Sequence, residues 1–340
     1  MPVDYRQPRA YSTLVGPTFI LAAGLTTAAA IAAARLWRAE RRPGVAVLLY
    51  HRVRDDAEWD GLIGGVRNFS ISARRFVEQL TLLRERGATF LTVADTLAVA
   101  RGERPCPPNA VCMTFDDGSE SVASRAADRL NALGIPAAVF VTTDPASWVF
   151  EDQPRLTGEQ LLALNRGGWH IGAHGVSHHG LNEADADSLR AELKDSRGHL
   201  EALLGRSVTT MAVPLNFYDD RVLEEAARLG YDAVFTANPG RVRAGARLLE
   251  LPRIAIEGGM DLSAFERALS PDALLVRRVI HRLKRIPPRL LGETRWMPIR
   301  RALFESPLGR YLTVQYLSRV VVAWAVLWTG TLVVLALSPV

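Results

Sequence analysis

Ala110-Val111-Cys112-Met113-Thr114-Phe115-Asp116-Asp117-Gly118 is the stretch that decides the fold. Its apolar, β-forming first half predicts a strand over Ala110–Phe115, and the residues from Ser119 to Leu133 predict a helix. Two adjacent carboxylates are thereby set on the loop at a strand's C-terminal end, which in a parallel α/β barrel is the active face. Neighbouring carboxylates repel, so such a pair is stable mainly when a cation neutralises one and leaves the other free as a base. Asp-Asp-Gly is also ordinary turn chemistry, and its weight comes from what accompanies it.

The same alternation runs outward in both directions. Strands are predicted at Val45–Tyr50, Ala137–Thr142, His170–Ala173, Thr209–Val213, Ala233–Thr236 and Leu251–Ile256. Helices are predicted at Ser72–Arg86, Thr157–Asn165, Ala184–Leu204 and Asp220–Leu229, the third with Leu189, Leu193, Leu200 and Leu203 on one apolar face. Strand–helix repetition implies parallel strands joined by crossover helices. The length from Pro43 to about Ser270 suits a single barrel-like α/β domain.

Charge is placed at the ends of the chain. The formal net charge is +5, yet Arg277–Arg319 alone carries +9 and residues 1–42 carry +4, which leaves −8 for residues 43–276. A domain of that sign is not drawn to phosphate, so a whole-protein nucleic-acid binder is disfavoured. The two cysteines, Cys106 and Cys112, are too few for a disulfide scaffold or a cysteine-based zinc site.

Two uncharged apolar stretches flank the domain. Leu14–Ala34 is long enough to cross a hydrocarbon core of about 30 Å, although Arg6 and Arg9 before it and its many small residues also fit a cleaved signal peptide. Val320–Leu337 is richer in Val and Leu and places Trp324 and Trp328 one turn apart, as a transmembrane helix would. Between Pro271 and Arg319, Leu275, Val276, Val279, Ile280, Leu283 and Ile286 recur at helical spacing with Arg and Lys on the other face. That pattern predicts a basic amphipathic helix lying along anionic headgroups.

His174-Gly175-Val176-Ser177-His178 follows another predicted strand, and its three-residue spacer lets two imidazoles converge on one ion. Two histidines and an aspartate leave a coordination position open, the arrangement by which zinc acidifies a water. His170 fits a strand and His179 a surface position beside Gly180; both are read as structural.

With these motifs the chain resembles the polysaccharide deacetylases that share the NodB homology domain (carbohydrate esterase family four), over most of residues 45–268. Thr114–Gly118 is similar to the family's first motif, which implies Asp116 as general base and Asp117 as metal ligand. His174 to His178 with Leu181 is similar to the second, which implies His174 and His178 as the other ligands. Leu48-Leu49-Tyr50-His51-Arg52-Val53, Phe69-Ser70-Ile71-Ser72 and Leu251-Pro252-Arg253-Ile254 resemble the branch of the biofilm poly-N-acetylglucosamine deacetylases. In that branch the acid histidine comes from the first strand, which implies His51; the alternative is a strand-end histidine that only packs. One stretch departs from the family. Where a glycine usually helps to shape the acyl pocket, Ala212-Val213-Pro214-Leu215-Asn216-Phe217-Tyr218 carries Asn216, a residue still able to adopt positive φ. Arg253 is then the candidate to orient Asp116 in place of the motif arginine.

The resemblance implies an irregular (β/α) barrel, and the apolar stretches add flanking transmembrane helices: residues 1–42 as anchor or signal peptide, 43–270 catalytic, 271–319 membrane-proximal and 320–340 spanning. It implies a hydrolase that removes N-acetyl or a similar small acyl group from the amino sugars of a polysaccharide or lipid-linked glycan, with one divalent ion, zinc by preference. Pro214 and Leu215 would serve the oxyanion. The alternatives are a non-catalytic carbohydrate-binding membrane protein and a metal-independent glycosidase using paired carboxylates. The basic flanks of the two apolar stretches favour a cytoplasmic barrel with its active face held at the bilayer; a cleaved first segment would place it outside.

Overall fold

The computed structural model describes residues 35, 37–144 and 153–291. Seven parallel strands form a closed ring: β1 (Ala46–Tyr50), β5 (Ala110–Phe115), β6 (Ala137–Val141), β7 (His170–Ala173), β8 (Thr210–Ala212), β9 (Ala233–Pro239) and β10 (Leu251–Ala255). β1 closes the ring by pairing with β5 along its whole length, Ala46 opposite Val111 to Tyr50 opposite Phe115, and with β10 at Leu48 and Leu49. β4 (Thr89–Phe90) shares an edge of β5 with β6, meeting Ala110 and Val111 before β6 takes over at Met113. β2 (Arg52–Arg54) and β3 (Ser70–Ser72) form a separate parallel pair directly after His51.

Period-two alternation sorts these strands into two cores. Val45, Val47, Ala110, Cys112, Ala138, Phe140, Ala212 and Phe235 fill the barrel, together with Leu91, Val93, Leu97, Ala100 and Val242. Ala46, Leu48, Tyr50, Met113, Phe115, Val139 and Val141 face outward against the helices. The interior is tight: a Cβ on Gly172 would lie 2.5 Å from the Phe140 ring, so only glycine fits there. Val45 and Val242 exchange backbone hydrogen bonds of 2.8 and 2.9 Å at the start of β1, closing the strand-N-terminal end.

All seven expected strands are present within two or three residues of their expected bounds. The helix expected over Ser119–Leu133 is a π-helical stretch, Val122–Ala127, running into an α-helix, Asp128–Ala132. Its first turns leave the tight loop that carries Asp116 and Asp117, and π-bulges gather at such functional positions. Pro271–Leu291 is helical, as its spacing requires. No helix among the described residues is long and apolar enough to cross a membrane. The stretches Leu14–Ala34 and Val320–Leu337 lie outside the described residues, as does the basic region beyond Leu291. The chain divides into two compact units, Met1–Leu275 and Val276–Val340, of which the first holds the barrel.

Candidate active site

Most of the chemically suggestive residues sit just beyond the C-terminal end of a ring strand. His51 follows β1, Asp116 and Asp117 follow β5, His174 follows β7, and Pro214 and Leu215 follow β8. Asp116 continues the inward row Ala110, Cys112, Thr114, so its carboxylate lies over the filled barrel, and its N–H donates to Tyr50 O at 2.9 Å.

Arg253, on β10, holds that carboxylate from the far side of β1. Nη1 donates to Asp116 Oδ1 at 2.7 Å and Nη2 to Oδ2 at 2.6 Å, while Nε donates to Thr236 O at 3.1 Å. Both side chains are buried, and the Phe140 ring lies 5.6 Å beneath the guanidinium. Burial pushes the Asp116 carboxyl up, but Arg253, with His174 and His51, outweighs it and holds the group below the usual carboxylate range. Asp116 is thus ionised at neutral pH and fixed in direction by a two-point fork.

Asp117 turns the other way because its backbone is left-handed, with φ 72°. Its Oδ1 lies 3.4 Å from His174 Nε2 and 3.1 Å from His178 Nε2, and one donor atom from each of the three residues lies within 4.8 Å of the others. The tautomer of His174 follows from its other nitrogen: Nδ1 is 2.9 Å from Ala212 O, a carbonyl that can only accept, so Nδ1 carries the hydrogen. In the neutral ring Nε2 therefore points a lone pair at a carboxylate oxygen. Both oxygens of Asp117 are buried without a hydrogen-bond partner among the described residues. Two imidazoles and a carboxylate brought this close, with both carboxylate oxygens left unsatisfied, are the chemistry of a cation site. Burial raises the Asp117 carboxyl; hydrogen bonds donated by protonated His174 and His178 outweigh it and draw the group well below the ordinary range.

The loop that carries the two histidines is clamped from below. Glu192, on the helix Ala186–Leu204, accepts from Val176 N at 2.7 Å, from Ser177 N at 3.1 Å and from the Ser177 hydroxyl. With Gly175 at φ 75° and His178 at φ 60°, the loop needs such an outside anchor to hold a strained course. Sequence reasoning did not single out Glu192. The signal lay in its register, three residues after buried Leu189 and four before buried Ser196. His179 donates to or accepts from Ser177 Oγ at 2.8 Å, and His170 pairs with Thr210 Oγ1 at 2.6 Å inside the barrel.

Leu215 and Asn216 both take positive φ, 55° and 58°, so the turn that glycine would make is made by asparagine. Asn216 Oδ1 accepts from Ala237 N at 2.7 Å and Nδ2 donates to Asn238 Oδ1 at 3.1 Å, which fixes the turn against β9. Pro214 is buried and Leu215 half exposed. His51 lies with its ring 4.8 Å from the half-exposed Phe69 ring, and its Nδ1 is buried without a hydrogen-bond partner among the described residues. Burial lowers the His51 imidazole below its ordinary value, against the opposing pull of Asp117 and Asp116.

Comparison with known proteins points the same way. Residues 103–234 match the family model described as polysaccharide deacetylase. A solved Streptococcus pyogenes deacetylase, PplD in complex with acetate, is 27% identical, covers 68% of this chain and all of its own, and superposes with a TM-score of 0.59. The poly-beta-1,6-N-acetyl-D-glucosamine N-deacetylase of Staphylococcus aureus (strain MRSA252) is 24% identical over 225 residues, 62% of this chain and 77% of its own length. That of Escherichia coli (strain K12) is 25% identical over 287 residues, and the chain spans 40% of its length.

Proposed function

Since the chain carries a domain of the polysaccharide deacetylase family, we propose that it is a membrane-anchored, metal-dependent hydrolase that removes N-acetyl groups from the amino sugars of a polysaccharide or lipid-linked glycan. The observation that carries this reading is the convergence of Asp117, His174 and His178 beside an aspartate held ionised by Arg253. Anchoring rests on the apolar stretches Leu14–Ala34 and Val320–Leu337. The N-acetylglucosamine polymer in the names of the similar deacetylases makes a chain of that sugar the first substrate to try.

Asp117, His174 through Nε2 and His178 would hold the divalent ion, and two imidazoles with one carboxylate suit zinc. When bound, the ion supplies Lewis-acid polarisation of the acyl oxygen and lowers the pKa of water. Asp116 takes the proton of the attacking water, its orientation set by the Arg253 fork. As the C–O bond forms, the Leu215 N–H, presented by a left-handed turn, is the backbone donor for the developing oxyanion. His51 delivers the proton that lets the amine leave as the C–N bond breaks, so acetate and a free amino sugar result.

The test is acetate release from β-1,6-linked N-acetylglucosamine oligomers by the full chain, with Asp116→Asn as control. Acetate without new reducing ends supports the deacetylase and excludes the glycosidase. No acetate from any N-acetylated glycan, with folded protein that binds one zinc, would overturn the reading in favour of a binding protein.

A further inference from the structure

The segments that enter and leave the barrel meet at one place. Arg241 Nη1 donates to Gly44 O at 3.2 Å and Nη2 to Leu269 O at 2.9 Å. Arg243 donates to Arg42 O at 3.4 Å, to Glu40 O at 2.9 Å and to Glu40 Oε2 at 3.3 Å. The helical residues before β1 continue the link: Trp37 Nε1 donates to Asp272 Oδ1 at 3.0 Å, and Arg41 reaches the same oxygen at 3.4 Å. Arg241 and Arg243 flank Val242, the residue that bridges Val45, so the whole junction belongs to the strand-N-terminal end. The catalytic residues stand at the other end, with the length of β1 between, about 16 Å at 3.3 Å per residue.

The chemistry of the junction is that of a bilayer interface. Arg35, Arg38, Arg41 and Arg42 are all exposed, and Trp37 is 43% exposed with the Arg41 guanidinium 3.9 Å above its ring. An indole among arginines is the composition that settles at headgroup level, and each such arginine is attracted to anionic lipid. Chain continuity adds a second argument. Uncharged Leu14–Ala34 ends immediately before Arg35, and nine residues separate Ala34 from Gly44. That spacer reaches at most about 35 Å when fully extended, and less with its helical residues.

We propose that the strand-N-terminal end of the barrel, marked by Arg35, Trp37, Arg38, Arg41 and Arg42, rests on an anionic bilayer surface, so that the catalytic mouth faces away from the lipid. The inference builds on the membrane-anchored reading above and narrows its substrate. A mouth on the far side of the barrel fits amino sugars well beyond the headgroups, those of a glycan chain, rather than a single sugar on a lipid carrier. It also reverses the sequence-based expectation that the active face is held at the bilayer.

The experiment uses the full chain reconstituted in phosphatidylcholine–phosphatidylglycerol vesicles that carry an energy-transfer acceptor on a headgroup. A donor dye is attached either at Glu103→Cys, beyond the helix Val93–Arg101 that helps close the barrel, or at Ile63→Cys, 84% exposed between β2 and β3 on the His51 side. Both reporters are placed in a Cys106→Ser background; Cys112 is buried. Transfer several-fold stronger from Glu103 than from Ile63, and weaker discrimination in phosphatidylcholine alone, is the expected result. Equal or reversed transfer from protein that floats with the vesicles overturns the orientation and leaves the anchored reading standing. Protein that does not float with the vesicles overturns both.

Discussion

Arg253 meets Asp116 through two parallel hydrogen bonds, one to each carboxylate oxygen, with neither side chain open to solvent. The pair joins β10 to β5 across β1, so the alignment of the proposed base depends on a residue well over a hundred positions away in sequence. A buried pair of this kind contributes specificity of position more than net stability, because desolvation of both ions offsets most of their attraction.

Replacing the fork with a point charge separates those contributions. Arg253→Lys should keep the fold and the zinc but lower kcat by about 10²-fold, since a misdirected base costs roughly that much. Arg253→Leu should also lose about 3–5 kcal/mol in urea denaturation, the penalty of leaving a buried carboxylate unpaired. Wild-type kcat in Arg253→Lys would remove the orienting role.

The ligand set and the base separate by metal content. Asp117→Ala or His174→Ala should lower zinc occupancy, measured by mass spectrometry of dialysed protein, whereas Asp116→Asn should retain the ion and lose most turnover. Undiminished acetate release after chelation would dismiss the metal mechanism altogether.

Glu192→Gln keeps size and shape but turns part of an acceptor into an amide donor facing the Val176 and Ser177 N–H groups. Zinc affinity should fall about 10–100-fold, as for other residues that orient a ligand loop. Glu192→Asp should recover part of it. Unchanged affinity in Glu192→Gln would mean that the loop holds its strained course unaided.

In the proposed mechanism His51 has to carry a proton to act on the leaving amine, and burial favours its neutral form. kcat/KM should therefore fall as pH rises through an ionisation below the ordinary imidazole value, and His51→Ala should abolish that limb. A pH profile of His51→Ala that overlays the wild type in shape and height would direct the search for the acid elsewhere.

His170 gives a stability prediction far from catalysis. Burial, aided by Arg206, lowers its imidazole from 6.5 to about 4 in the folded state. Below pH 6.5 the unfolded chain takes up a proton that the native one refuses, so stability falls as pH drops from 6.5 towards 4. The loss reaches up to about 3 kcal/mol. His170→Asn should flatten this slope in urea titrations at pH 7 and 4.5; an equal slope would place the titrating group elsewhere.

The ring strands were legible because parallel strands buried on both faces are continuous apolar runs, as in Val45–Tyr50 and Ala110–Phe115. β4 has two residues and β2 and β3 three each, too few for periodicity to register. Asp117, His174 and His178 could be grouped because each follows a readable strand. Glu192 escaped notice among the acids Glu183, Asp185, Asp187 and Asp195, since charge alone does not distinguish a loop clamp from a solvated helix face. The Asn216 turn shows the reverse: its positive φ was expected from residue type, but its hydrogen bonds to β9 depend on tertiary placement.

The position of β1 between β5 and β10 has a consequence for synthesis on the ribosome. The first ring strand to emerge keeps one edge open until the last one is made. Over that interval Asp116 has no guanidinium to face, and two adjacent carboxylates resist burial. Strand closure and charge neutralisation therefore arrive in one late event, when Leu251–Ala255 docks. A nascent chain stopped short of Arg253 would expose an unpaired β edge beside an unneutralised acid pair, the combination that quality-control proteases and chaperones recognise as unfinished.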